Sequence, residues 1–114
     1  MNIRLSVFDN FGSSCVNAAL ASQIRGERVD PFLGDAELVV FDFEGVRSMN
    51  SSFCNALIAN LICKHPEMLA RIKFANCRSN LKILIQAAVD LGLERIKAQA
   101  TAGDQGHVVV GSEL

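Results

Sequence analysis

This sequence lacks tryptophan and tyrosine altogether, and it carries no large excess of either charge. Its 114 residues have a formal net charge of −1, and the basic residues are scattered along the chain. Nucleic-acid binding normally needs a concentrated basic face, because neutralised phosphates supply much of the affinity, and single strands stack on aromatic side chains. We therefore expect no nucleic-acid partner.

Long apolar runs are also missing. The first eleven residues, MNIRLSVFDNF, have neither the apolar core nor the small-residue cleavage site of a secretory signal peptide. No segment approaches the ~20 apolar residues that are needed to cross a bilayer. We therefore expect a cytoplasmic protein without membrane association, in which thiols stay reduced.

The cysteines and histidines do not form a recognisable metal-binding or catalytic motif. No two cysteines have the CxxC spacing, and Cys54 and Cys63 would lie on opposite faces of one helix. The two histidines, His65 and His107, are too far apart in sequence to suggest a cluster or a nucleophile–base pair. No phosphate-binding loop or dinucleotide fingerprint occurs. We expect no metal, no cofactor, no catalytic residue and no enzymatic activity, and we interpret all four cysteines as core residues: Cys15, Cys54, Cys63 and Cys77.

Hydrophobic periodicity predicts three main strands in a chain that has the length of one domain. Residues 3–7 alternate between apolar and polar, which is typical of an edge strand. The run Leu38–Phe43 is apolar enough for a central strand that is covered on both faces. Residues 72–75 are predicted as a second inner strand.

Helical spacing marks three segments between and after these strands. The first covers residues 16–28, is capped by Ser13 or Ser14, and exposes a polar face that includes Arg25. The second covers residues 51–64 and is apolar nearly all round, so either the core or a partner must cover it. The third begins near Leu81 and ends at Gly92. The order of elements predicts an α/β fold, with three main helices packed on a mixed sheet of four to five strands.

The C-terminal part of the sequence changes character. Residues 1–95 are predicted to form the domain, and residues 96–114 a C-terminal extension rich in small and polar residues. Within this extension, residues 107–111 fit a short edge strand and a mobile tail equally well.

The most informative segment is VVFDFEGVRSMNSSFCNAL, residues 39–57. An inner strand ends at Asp42, a tight connection follows at Glu44 and Gly45, and Ser51 and Ser52 open a helix. Sites in α/β sheets lie beyond the carboxyl ends of the strands, and a helix start there offers unpaired backbone N–H groups to an anion.

This segment resembles the STAS domains, which are named for sulphate transporters and anti-sigma-factor antagonists. It looks closest to a STAS-like group of bacterial proteins with an apolar strand ending in DF, a GV-containing connection and a serine pair that opens an apolar helix. The matching residues here are Asp42-Phe43, Gly45-Val46 and Ser51-Ser52, and a less specific likeness extends from about Ser14 through Leu93.

The resemblance implies a regulatory module that binds a protein partner, such as a GHKL-type ATPase or kinase. In antagonist members the loop reads D-S-S/T-G, and the partner phosphorylates the second hydroxyl residue. Asn50 stands here for the aspartate, Ser52 for the phosphorylated residue with Ser51 as second choice, and Phe53 for the glycine, where its bulk would narrow the room for a kinase. The loop residues that would contact the partner are Asp42, Glu44, Gly45, Asn50, Phe53 and Asn55.

Simpler interpretations of the same residues stay open. Asn50 or Ser51 need only cap the helix, and Asp42 need only bind loop amides. The helix start would also suit a domain that binds a small anion or a nucleotide. An enzyme that uses Asp42 or Cys54 is a third possibility, and the apolar second helix suggests a weak homodimer.

Overall fold

The computed structural model describes residues 1–108 of the chain, which form two small parallel sheets. The main sheet has three strands in the order β1-β3-β5, and β2 pairs with β4 in a second sheet. The α/β class is therefore confirmed, but the predicted sheet of four to five strands is too large, and every strand pair described is parallel rather than mixed. The strands are β1 (Asn2–Ser6), β2 (Ser14–Cys15), β3 (Leu38–Asp42), β4 (Ser48–Met49) and β5 (Ile72–Ala75).

The main sheet buries only one of its faces. Leu5, Phe41 and Phe74 are in register across the three strands, and the rings of Phe41 and Phe74 stack at 6.1 Å. On the opposite face Val40 is only half-buried between Arg4 and Lys73, which are exposed. The aliphatic stems of these two neighbours can cover Val40. The prediction that β3 is covered on both faces is therefore wrong, and β5 is an edge strand rather than an inner one.

Helices connect and cover the strands. α1 (Val7–Phe11) follows β1 directly, and α2 (Ala18–Arg28) follows β2. Asn17 caps α2, because its Oδ1 accepts a hydrogen bond from the Leu20 amide at 3.0 Å, so the predicted Ser13 or Ser14 cap is wrong. Short 3₁₀ turns precede β3 and β5, at Asp30–Asp35 and Pro66–Arg71.

Residues 51–64 form one helical segment, here called the central helix, which contains a π-helical turn. It consists of α3 (Ser51–Cys54), the π turn (Asn55–Ala59) and α4 (Asn60–Lys64). All its apolar side chains except half-buried Cys63 are buried, and it packs against α2 and against the last helix, α5 (Ser79–Val108). Its all-round apolar character is therefore explained by burial inside the domain.

The π turn is joined to α2 by a buried arginine. Arg25 is only 4% exposed, although the sequence places it on the polar face of α2. Its guanidinium NH1 donates to the carbonyl oxygen of Ala56 at 3.1 Å, and its Nε lies 3.4 Å from Asp30 Oδ2. In the π turn the Asn60 amide donates five residues back to Asn55, and such a wide turn can leave a carbonyl to an outside donor. Arg25 thus links α2 to the backbone of the π turn at Ala56.

α5 runs straight through the predicted stop at Gly92, which is therefore wrong. A Cβ on Gly92 would lie 3.0 Å from Ile62 Cβ and 3.1 Å from the Ala59 carbonyl oxygen. Glycine is needed there because α5 approaches the central helix closely, not because the helix ends. α5 also crosses the predicted domain boundary at residue 95.

The strand considered for residues 107–111 is not formed by His107 and Val108, which belong to α5, and the other three lie outside the described residues. None of the helices within residues 1–108 is both long and apolar enough to cross a membrane.

Candidate functional site

The small β2–β4 sheet places two helix N-termini side by side. Ser14 is in register with Ser48, and Cys15 with Met49. The Asn50 amide donates to the Cys15 carbonyl oxygen at 3.2 Å, immediately before the central helix begins. Because the two strands are parallel, α2 and the central helix start at the same end of the molecule, which we call the helix-start surface.

Asparagine caps both helices. The Oδ1 atom of Asn50 accepts from the Phe53 amide at 2.9 Å, as Asn17 does from Leu20 in α2. A single side-chain cap satisfies only part of the first-turn amides of a helix. The partial positive charge of each helix N-terminus is therefore directed toward the helix-start surface.

The start of α5 lies beside the same surface. The Asn80 side-chain amide, in the first turn of α5, donates to the Arg47 carbonyl oxygen at 3.0 Å. Arg47 directly precedes β4, and its side chain is exposed. The N-termini of three helices and the exposed Arg47 therefore lie at one end of the domain.

The predicted phosphorylation residues lie on this surface. Ser51 and Ser52 are both exposed in the first turn of the central helix. Neither hydroxyl makes a hydrogen bond within residues 1–108, whereas the nearby Ser48 hydroxyl donates to Ser14 Oγ at 3.3 Å. Both serine side chains are therefore accessible from solvent.

Asp42 binds the loop that leads from β3 to the helix-start surface. Its Oδ1 accepts from the Glu44 amide at 3.0 Å and from the Asn76 side chain at 2.9 Å. Its Oδ2 pairs with the Arg4 guanidinium at 2.9 Å. The hydrogen bond from Asn76, then that from Glu44 and the charge of Arg4, lower the pKa of Asp42. The carboxylate is thus already occupied by loop and strand partners.

Gly45 completes this loop in a conformation that favours glycine. Its φ is +89°, and a Cβ there would lie 2.9 Å from the ring of Phe8. Glu44 and Gly45 are both exposed, so this loop is open to solvent.

The sequence matches one family model across just over half of its length. The model is described as a STAS-like domain of unknown function (DUF4325), and it covers residues 21–82, from within α2 to the first turn of α5. The chain belongs to this STAS-like family. No curated protein and no solved structure gave a significant match to it.

Three residues predicted to bind a partner differ in accessibility in this STAS-like domain. Phe53 is fully buried, with its ring packed edge-on against Phe11 at 4.8 Å, so the prediction that it contacts a partner is wrong. The bulk of Phe53 had also predicted that its ring would crowd the serines. It does not, because the ring points into the core. Asn55 is half-buried in the π turn, and Asn50 is exposed.

The two buried thiols of the STAS-like domain, Cys15 and Cys54, are poorly suited to nucleophilic chemistry. Burial raises the pKa of Cys15 to about 11 and the pKa of Cys54 to about 12. Both thiols therefore stay protonated at neutral pH, whereas a reactive cysteine needs a lowered pKa. Cys63 and Cys77 are only half-buried, so the core interpretation holds fully for two of the four cysteines. Among the described residues no group of three potential ligands could hold a metal ion.

Sequence reasoning missed three asparagines that shape this end of the STAS-like domain. Asn17 directly precedes the apolar pattern of α2, which is an ordinary capping signal that had been assigned to serines. Asn76 has a φ of +57°, a left-handed conformation that asparagine tolerates, but its bond to Asp42 joins the ends of two strands and leaves no local signal. Asn80 likewise leaves no local signal, because its side chain binds the carbonyl oxygen of Arg47, which is 33 positions away in the sequence.

Proposed function

We propose that this STAS-like domain is a regulatory module that docks a protein partner on its helix-start surface and catalyses no reaction itself. The observation that carries the proposal is the exposure of Ser51 and Ser52, whose hydroxyls make no hydrogen bond to the described residues, beside a second parallel helix N-terminus. A GHKL-type ATPase or kinase is the partner class that the family resemblance favours.

Phosphorylation of Ser52 would change this surface without unfolding it. A phosphate adds about −1.5 to −2 charges near neutral pH. At a helix N-terminus this charge is favourable, since it faces the partial positive charge of the backbone amides, here those of two helices. The modification therefore leaves the fold intact and acts on docking, by placing a bulky dianion where a partner would approach.

The first experiment locates the modification. The protein would be purified from its native host, and its intact mass compared with those of Ser51→Ala, Ser52→Ala and the matched control Ser79→Ala, an exposed serine at the start of α5. We expect the mass of one phosphate on the wild type, Ser51→Ala and Ser79→Ala, and none on Ser52→Ala. A phosphate that persists in Ser52→Ala would remove Ser52 from the proposal.

The second experiment tests docking. Immobilised wild type, Ser52→Asp and Lys73→Asp would be used to capture proteins from native-host extract, with Lys73 lying on the exposed face of the main sheet. We expect an ATPase bound by the wild type and by Lys73→Asp but lost with Ser52→Asp. Equal capture by all three would mean that the partner docks elsewhere.

The pair of parallel helix N-termini also favours a second candidate function, the binding of a small anion or a nucleotide. Unpaired amides of two helices converging on one surface are a common anion-binding arrangement. A ligand that binds only the folded state raises the Tm. A Tm that does not change with phosphate, ATP or GTP would eliminate this candidate and leave protein docking untouched.

A further inference from the structure

The exposed side of α5 carries an apolar residue that no part of the described chain covers. Ile83 is 72% exposed, the highest value among the large apolar side chains of the described residues. It lies on a shallow groove of the helix surface together with Lys82, Gln86, Ala87 and Asp90. Ile83 lies in the second turn of α5, and a single exposed apolar side chain is common on a protein surface, so the charges around it decide whether this surface is a contact.

The charges along this side of α5 are arranged in one row. Residues at a spacing of four form a ridge on a helix, and the ridge within α5 reads Lys82, Gln86, Asp90, Glu94, with Arg78 directly before the helix at the same spacing; all five are exposed. Two cations lie on one side of Gln86 and two acids on the other, at equal distances along the sequence. None of these four charged side chains takes part in an ion pair among the described residues.

Helix stability does not account for this order. The partial positive charge at a helix N-terminus favours acidic residues there, yet Arg78 directly precedes α5, Lys82 lies in its first turn, and that turn has no acid. Within the ridge the one bond made is between the neutral Gln86 amide and Asp90 Oδ1, at 3.0 Å. The arrangement is therefore better explained by an external partner with the reverse order of charges.

A second copy of the chain has this reverse order when it is antiparallel. A two-fold axis at Gln86 sets Lys82 opposite Asp90 of the second copy, and Arg78 opposite its Glu94, twice in each dimer. Packing of such four-residue ridges is the commonest helix–helix geometry. Ala87, on the neighbouring ridge with Ile83, is small enough to let the two helices approach closely. We propose that α5 mediates a symmetric, antiparallel homodimer of this protein.

This dimer replaces the one expected from the sequence. That expectation rested on the apolar central helix, whose side chains are covered by α2 and α5. The surface proposed here involves neither Ser51 nor Ser52, so it does not depend on the docking function.

Charge reversal gives a direct test. Lys82→Glu and Asp90→Lys would each set like charges against each other across the axis, so we expect each variant to dimerise about tenfold more weakly than the wild type, or worse. An equimolar mixture of the two restores every opposite pairing and should form a heterodimer. Sedimentation equilibrium over a range of concentrations measures all four samples, and circular dichroism confirms that the variants fold.

A matched control separates the effect of the ridge on dimerisation from the effect of a changed net charge. Lys73→Glu makes the same change of charge on the exposed face of the main sheet, and it should dimerise like the wild type. Ile83→Glu should also weaken the dimer, since it places a charge beside the acidic half of the partner's ridge. A single-chain mass for the wild type up to about 1 mM, or a mixture that stays as monomers, would overturn the proposal.

Discussion

At the residue scale, Asp42 connects three parts of the chain that are far apart in sequence. Its carboxylate binds Arg4 of β1, the Glu44 amide in the next loop, and Asn76 just after β5. All three bonds are better with an ionised carboxylate, which is why the pKa of Asp42 is lowered. The residue therefore links the middle of β1 to the carboxyl ends of β3 and β5.

This network predicts a pH-dependent effect of Asp42→Asn. A carboxyl group with a lower pKa in the folded state stabilises the fold above its unfolded pKa of about 3.9, and this contribution is lost as the pH falls through the folded pKa. We expect Asp42→Asn to be about 1 kcal/mol less stable than the wild type at pH 7, with the difference shrinking below about pH 4. Urea unfolding at several pH values measures both differences.

An exposed carboxylate serves as the control for Asp42. The Asp35 side chain makes no hydrogen bond within residues 1–108, so Asp35→Asn should change the stability little at any pH. If the loss in Asp42→Asn were the same at pH 3 as at pH 7, the shape of the side chain rather than its charge would be responsible.

At the scale of elements, the contact between α5 and the central helix depends on Gly92. Alanine is favoured over glycine inside a helix by about 1 kcal/mol, but overpacking a tight contact costs about 1–3 kcal/mol. Because the added Cβ would lie 3.0 Å from Ile62, we expect Gly92→Ala to lower the free energy of unfolding by about 1 kcal/mol. Chemical denaturation measures the change.

Gly26 in α2 provides the matched comparison. It is also a helical glycine, but it is exposed and a Cβ there would meet nothing within 4 Å. Gly26→Ala should therefore raise the stability by about 0.5–1 kcal/mol, the opposite sign. If both substitutions stabilised the protein, α5 and the central helix would have to be free to move apart at Gly92.

How far the sequence predicts an element depends on whether its signal is local. β1, β3 and the central helix from Ser51 were predicted correctly, because alternation, an apolar run and the Asn50 cap are each visible within a few residues. Gly92 was misread since its role is set by Ile62, 30 positions away.

The π turn and the burial of Arg25 likewise follow from a contact between two helices, which no single-segment pattern reveals. The candidate site shows the same division. The exposure of Ser51 and Ser52 and the loop bond of Asp42 follow from local position. The neighbouring N-terminus of α2 comes from the two-residue β2–β4 pairing, which is too short to leave an alternating pattern.

At the scale of the whole molecule, the segment that defines the family is smaller than the folding unit. The match covers residues 21–82, but β1 lies before it and pairs with β3 along five residues. Ile85 and Ala88, beyond its end, belong to the buried core, and Arg95 NH1 donates to Asn60 Oδ1 at 2.6 Å. Gln99 reaches back to the central helix, where its amide lies 3.4 Å from Cys63 Sγ. The core is therefore closed by parts of the chain on both sides of the matched segment.

This extent predicts that a fragment of residues 21–82 does not fold, whereas a fragment of residues 1–99 does. The shorter fragment leaves β3 without one neighbour and uncovers the side of the central helix that packs on α5, so it loses more buried apolar area than a marginally stable domain can spare. The longer one keeps every contact described above, including that of Gln99. Thermal unfolding followed by circular dichroism should show a cooperative transition only for residues 1–99. A cooperative transition in residues 21–82 would instead mean that β1 and most of α5 are additions to a smaller, self-sufficient core.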